Sequence, residues 1–142
     1  MKTLTRVAGL MVAWLMFMGA AVNYVPAEAV DQSILGTGEE LAPGEDLAST
    51  DSLYTLTMET GGDLVLRSGD EVVWSAGTTV PGSTLAAQDD GNLVVRAPGG
   101  APQWASGTFG AGPTRLELHA GGSARVHDDT GAVVWEVPVP TG

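Results

Sequence analysis

Cysteine is absent from this 142-residue chain. Disulfides, thiolate metal sites, cysteine nucleophiles and acylated lipid anchors are thereby excluded, and the fold must hold by packing alone. Basic residues are scarce: six Lys and Arg stand against 17 Asp and Glu, for a net charge of −11. Lys2 and Arg6 sit at the start, which leaves Arg67, Arg96, Arg115 and Arg125 as the basic side chains after position 29. Such a surface repels phosphate backbones and anionic headgroups, so nucleic acid is excluded as a partner class and the acidity reads first as solubility. Histidine is nearly absent too. His119 and His127 lie eight positions apart, matching no metal-ligand spacing and no nucleophile–base motif. His127-Asp128-Asp129 reads as an exposed turn with at most weak metal affinity. Asp89 and Asp90 are adjacent and alternate faces, unlike a glycosidase pair, and Asp89-Asp90-Gly91-Asn92 lacks calcium-loop spacing. The chain is therefore read as non-enzymatic, with no cofactor and no metal ligand set.

Long apolar runs are lacking apart from one. After the basic start, Val7 to Val22 is uncharged and mostly apolar, and Ala27-Glu28-Ala29 supplies small residues at a cleavage position. At about 16 residues the run is shorter than the ~20 needed to span a bilayer. Residues 1–29 are expected to be a secretory signal, giving a secreted, extracellular protein with no membrane contact after cleavage. Residues 30–50 carry Ile34, Leu35, Leu41 and Leu47 between Gly, Pro and acids. They show no helical period and read as a linker, or as one extended strand plus turns that closes the domain.

What is abundant is glycine, 20 residues spread without a collagen period, and a repeat. Leu53 to Thr78, Ser83 to Thr108 and Thr114 to Pro138 align on Trp74, Trp104 and Trp135, which are 30 and 31 residues apart. In that alignment Leu56, Leu85 and Leu116 coincide, as do Arg67, Arg96 and His127. Each unit reads strand, Gly-rich turn, strand, Gly-containing turn, strand. A single unit cannot bury its apolar face, so the three must pack together, with the tryptophans meeting near a pseudo-threefold axis. The expected fold is all-β: three antiparallel sheets arranged as a prism in one domain over residues 30–142. A propeller would need more and longer blades.

The second unit carries Gln88-x-Asp90-x-Asn92-x-Val94-x-Arg96. Side-chain alternation places Leu93 and Val95 in the core and Asn92, Val94 and Arg96 on the exposed face. Gln88 and Asn92 both donate and accept, Asp90 accepts, and Val94 offers an apolar patch, which together suit a sugar. A simple Asp-Gly-Asn turn is the alternative, but it would not require Gln88 or Val94. The motif and the threefold repeat resemble the Q-x-D-x-N-x-V-x-Y signature of the bulb-type (monocot) mannose-binding lectins, a family with the β-prism II fold. The resemblance runs from about Leu41 to Val137 and includes the L-x-x-G-x-x-L opening at Leu41-Gly44-Leu47.

The resemblance implies that Asp90 and Asn92 bond the sugar 2-hydroxyl, Gln88 the 3-hydroxyl, and that Val94 packs on the ring carbons. Arg96 replaces the family Tyr, which bonds the 4-hydroxyl. A guanidinium donates but cannot accept, so altered or weakened selectivity is expected. The other units keep little: Glu59-x-Gly61-x-Asp63-x-Val65-x-Arg67 retains Val65, and His119-x-Gly121-x-Ser123-x-Arg125-x-His127 retains nothing. One weak site for mannose-type glycans or polysaccharide is expected. A structural or protein-binding module on a lectin-like scaffold is the alternative. The resemblance also implies either a homodimer formed by exchanging Ala132 to Val139, or a third sheet completed within one chain by the segment before Leu53.

Overall fold

The computed structural model describes residues 32–137. The expected leader, and Pro138 and Val139 of the exchange segment, lie outside the described residues. No helix occurs among the described residues. The N-terminal segment forms β1 (Ile34–Gly36), β2 (Glu40–Leu41) and β3 (Asp46–Ala48). The first unit forms β4 (Tyr54–Met58), β5 (Leu64–Ser68) and β6 (Glu71–Ser75). The second forms β7 (Thr84–Ala87), β8 (Leu93–Arg96) and β9 (Pro102–Ala105). The third forms β10 (Thr114–Leu118), β11 (Ala124–Asp128) and β12 (Val133–Val137).

These strands make three four-stranded antiparallel sheets, ordered β3-β4-β5-β6, β2-β7-β8-β9 and β1-β10-β11-β12. The expected prism is the observed one. Residues 32–48, read as a linker or a single closing strand, instead supply three short strands, one to each sheet and in reverse order of the units. Leu35 pairs with Leu116, Leu41 with Leu85 and Leu47 with Leu56. The third sheet is thus complete within one chain. All three leucines are fully buried, and each such burial stabilises by about 1.5–3 kcal/mol relative to exposure.

The turns between these short strands share one construction. In Gly36-Thr37-Gly38-Glu39 and in Ala42-Pro43-Gly44-Glu45, the fourth residue's N–H donates to the first residue's carbonyl, at 2.9 Å in both. Each Glu also returns its side chain to the first residue's N–H, at 2.8 Å. Gly38 and Gly44 both sit at φ 88°, the left-handed conformation that the third position of a type II turn requires.

The core is filled in threefold layers: Leu56, Leu85 and Leu116; Met58, Ala87 and Leu118; Leu64, Leu93 and Ala124; Leu66, Val95 and Val126. Against it pack Trp74, Trp104 and Trp135, with ring centroids 5.6–5.9 Å apart and edge-to-face angles of 70–74°. The tryptophan cluster expected from the repeat is therefore present, and edge-to-face packing adds about 0.5–1.5 kcal/mol per pair beyond area burial. Asp51 joins the N-terminal segment to the third unit. Its carboxylate accepts from the Ser49 hydroxyl at 2.5 Å, the Leu53 N–H at 3.1 Å and the Gly121 N–H at 3.3 Å. The Ser49 hydroxyl foremost, then these amides, hold its pKa below the usual carboxylate range.

Candidate functional site

The motif of the second unit is built on the β7–β8 hairpin. Gln88 and Asn92 close it: the Gln88 N–H donates to the Asn92 carbonyl at 2.9 Å and the Gly91 N–H to the Gln88 carbonyl at 3.0 Å. Three residues, Asp89, Asp90 and Gly91, form the loop, with Gly91 in the left-handed region at φ 95°. Glycine is also required there for space, because a Cβ would lie 2.6 Å from the Gly112 carbonyl oxygen. Glu59 to Asp63 and His119 to Ser123 form the same loop in the other units.

A second device aims the last motif residue. The β8–β9 register breaks between Val95 and Arg96, and the same break falls between Leu66 and Arg67 and between Val126 and His127. A bulge turns the strand and re-aims the side chain that follows. The three units thus repeat this geometry, with Arg at the re-aimed position in the first two and His in the third.

The site side chains are linked into one chain of hydrogen bonds. The Gln88 amide, oriented to satisfy both neighbours, donates to Asp90 Oδ1 at 3.3 Å and accepts from Arg96 Nη2 and from Arg96 Nε at 3.2 Å. Arg96 Nη1 donates to the Gly100 carbonyl at 2.7 Å. Asp90 Oδ1 accepts from the Asn92 N–H at 3.0 Å. Asn92 Oδ1 accepts from the Ser106 hydroxyl at 3.2 Å and from the N–H groups of Gly107 and Thr108 at 2.9 and 3.1 Å. In the first unit Asp63 binds the Gly77 and Thr78 N–H groups in the same way. The oxygen of Asn92 therefore has a structural task, and its Nδ2 hydrogens remain for a ligand.

An open hollow of about 520 Å³ is lined by Gly38, Glu39, Glu40, Ala86, Ala87, Gln88, Asp89, Asp90 and Arg96. Of the five residues predicted from the motif, Gln88, Asp90 and Arg96 line this hollow; Asn92 and Val94 do not. Val94, expected on the exposed face, is only 3% exposed. The reason is its place on an interior strand, paired with Ala86 on one side and Ala105 on the other. Val65 occupies the equivalent place and is equally covered. Glu39 and Glu40 were not anticipated from the motif. Their signal was the even spacing of Leu35, Leu41 and Leu47, which sends β2 to this sheet. With Asp89 and Asp90 they make the hollow predominantly acidic around one guanidinium.

In the other two units the matching positions face each other too, as Gln88 and Arg96 do in the second. Arg67 bonds Glu59 at 2.5 Å in the first. In the third, His119 and His127 face one another, with their Nε2 atoms 3.4 Å apart. A separation of eight along the chain became a contact because the hairpin folds one histidine over the other.

Three sheets around a tryptophan axis, each with a motif hairpin and a bulge in the same place, define a β-prism II domain of the lectin type. Among solved structures, a monomeric monocot mannose-binding lectin from Gastrodia elata is similar at 29% identity and a TM-score of 0.69, over 73% of this chain and 94% of that one. The mannose-specific agglutinin from snowdrop (Galanthus nivalis) bulbs, solved with methyl-α-D-mannoside, is similar at 29% identity and 0.58, over 78% and 93%. A mannose-specific lectin from Dutch crocus (Crocus vernus) is similar at 25% and 0.64, over 81% and 100%. No family model and no curated relative matches the sequence. The resemblance to the bulb-type mannose-binding lectins thus extends from the motif to the whole fold. These neighbours are lectins by name.

Proposed function

We propose that the chain binds a neutral, mannose-type sugar at the hollow of the second unit, using Gln88 and Asp90 of the motif with Arg96, and with Asn92 at its margin. The observation that carries this is the gathering of Gln88, Asp90 and Arg96 around one open hollow, on a fold whose neighbours include mannose-binding lectins. Asp90 Oδ2 accepts from hydroxyls, while Asn92 Nδ2 and the remaining Arg96 hydrogens donate. The carboxylates of Glu39, Glu40, Asp89 and Asp90 oppose an anionic ligand, so neutral hexoses are preferred over uronic or sialic acids. With Val94 covered and Gln88 engaged by Arg96, affinity is weak, near the millimolar end at about −4 kcal/mol. Secretion is part of the same proposal and rests on the basic start, apolar run and Ala27-Glu28-Ala29; N-terminal sequencing of the exported chain tests it.

Calorimetric titration with methyl-α-mannoside, glucuronate and sialic acid tests the sugar reading. Binding of the mannoside alone, lost in Asp90→Asn, supports it. No heat with any neutral hexose overturns it. One observation favours the second reading, a protein-binding scaffold: the amide of Gln88 is already satisfied by Arg96 and Asp90. A silent glycan array together with a captured protein partner decides for the scaffold.

A further inference from the structure

The third unit has lost every polar residue of the sugar motif, yet three ligand-bearing side chains converge there. Glu117 lies on β10, His119 just beyond its end, and His127 on β11 after the bulge. Glu117 Oε1 is 3.3 Å from His119 Nε2 and 3.6 Å from His127 Nε2, and the two Nε2 atoms are 3.4 Å apart. We propose that Glu117, His119 and His127 form a binding site for a divalent transition-metal ion, with Zn²⁺ the best fit.

The argument begins with the triangle. Ligand atoms about 2.0–2.1 Å from a tetrahedral zinc stand about 3.3–3.4 Å from one another. The three edges here are 3.3, 3.4 and 3.6 Å, close to what a zinc ion requires. One carboxylate oxygen reaches both imidazoles, so the three atoms face a common point rather than form a chain. Hydrogen bonding alone can bring two Nε2–H donors to the Glu117 oxygen, but it leaves the two nitrogens 3.4 Å apart with nothing between them. A cation at the centre satisfies all three at once.

The outer contacts fix the ligands in binding form. His127 Nδ1 lies 3.3 Å from the Gly131 carbonyl, which accepts from Nδ1–H and leaves Nε2 as the metal-facing lone pair. Arg115 Nε donates to Glu117 Oε2, orienting the carboxylate so that Oε1 turns to the histidines. The same guanidinium draws charge from the carboxylate and keeps the affinity moderate. The side chains of Glu117, His119 and His127 are 19, 31 and 12% exposed, so they are shielded yet still reachable by an ion from solvent, and water would supply the fourth ligand. Two imidazoles and one carboxylate suit Zn²⁺, Ni²⁺ or Cu²⁺ and not the oxygen-seeking Ca²⁺ or Mg²⁺. The first and second units carry Glu59–Arg67 and Gln88–Arg96 in the corresponding places, so the third has exchanged a donor–acceptor pair for two nitrogen ligands.

The test is calorimetric titration of the full chain with ZnCl₂, CaCl₂ and MgCl₂, alongside ¹⁵N spectra of the histidine rings of the unaltered protein. One Zn²⁺ per chain, a shift of both Nε2 resonances, no comparable binding of Ca²⁺ or Mg²⁺, and at least about tenfold weaker zinc binding in His119→Gln and His127→Gln are expected. Unmoved Nε2 resonances, equal heat from Ca²⁺, or zinc binding unchanged in the double His→Gln variant would overturn the site and assign any bound cation to the acidic surface. The ring spectra need no variant, so a misfolded substitution does not remove the test.

Discussion

Arg96 lies against Gln88, its Nε 3.2 Å from the amide oxygen, and its other end is tied to the Gly100 carbonyl. The residue that stands where the resembled motif has Tyr thus occupies the acceptor of the neighbouring motif amide. Arg96→Tyr releases Gln88 and adds a hydroxyl. Affinity for methyl-α-mannoside should rise about two- to tenfold, the worth of one net hydrogen bond. Unchanged calorimetric affinity would show that Arg96 does not limit the site.

Leu41 is fully buried on a two-residue strand. Leu41→Ala should cost about 2–5 kcal/mol by denaturant unfolding, through lost transfer energy and the cavity left behind. Leu35→Ala and Leu47→Ala should fall in the same range, because the three are threefold equivalents. A loss below about 1 kcal/mol at any of them would mean that its short strand is not needed to close the core.

Gly91 and Gly121 have nearly the same backbone, φ 95° and 94°, but different surroundings. A Cβ at Gly91 meets the Gly112 carbonyl oxygen at 2.6 Å, whereas one at Gly121 meets nothing within 4 Å. Gly121→Ala should cost about 1–2 kcal/mol for the left-handed conformation alone. Gly91→Ala should cost more and should also weaken sugar binding by displacing Asp90. Equal losses in thermal unfolding would deny the steric part.

Asp51 carries a pKa held below its ordinary value by the Ser49 hydroxyl and backbone amides. A carboxylate depressed in the folded state stabilises fully above its unfolded pKa of about 3.9 and loses that contribution as pH falls through the folded value. Asp51→Asn should therefore lower the melting temperature at pH 7, and the difference from the unaltered chain should shrink on acidification below about pH 4. A gap that persists unchanged at pH 2 would assign the loss to geometry rather than charge.

Much of this architecture was legible in the sequence because the tryptophans and the Leu56, Leu85, Leu116 series recur in register, and a repeat that cannot bury its own face must stack. The motif likewise singled out Gln88, Asp90 and Arg96, three residues that line one hollow. Other features were hidden by the limits of linear reading. Alternation placed Val94 outward but could not tell that Ala86 and Ala105 would flank it on an interior strand. The two-residue strand β2 carries no period of its own, so Glu39 and Glu40 looked like linker. His119 and His127 looked too far apart for a shared ligand, since their meeting depends on hairpin register and a bulge.

The reversed order in which β1, β2 and β3 join the sheets has a kinetic meaning. Leu47 finds Leu56 across a short loop, Leu41 must wait for Leu85, and Leu35 for Leu116. The closures are nested, so each shortens the effective loop of the next and lowers its entropic cost. Assembly should run outward from the first sheet and end with β1, the last edge to be sealed. Until then β10 presents unpaired backbone groups, the edge through which an unfinished molecule would pair with another.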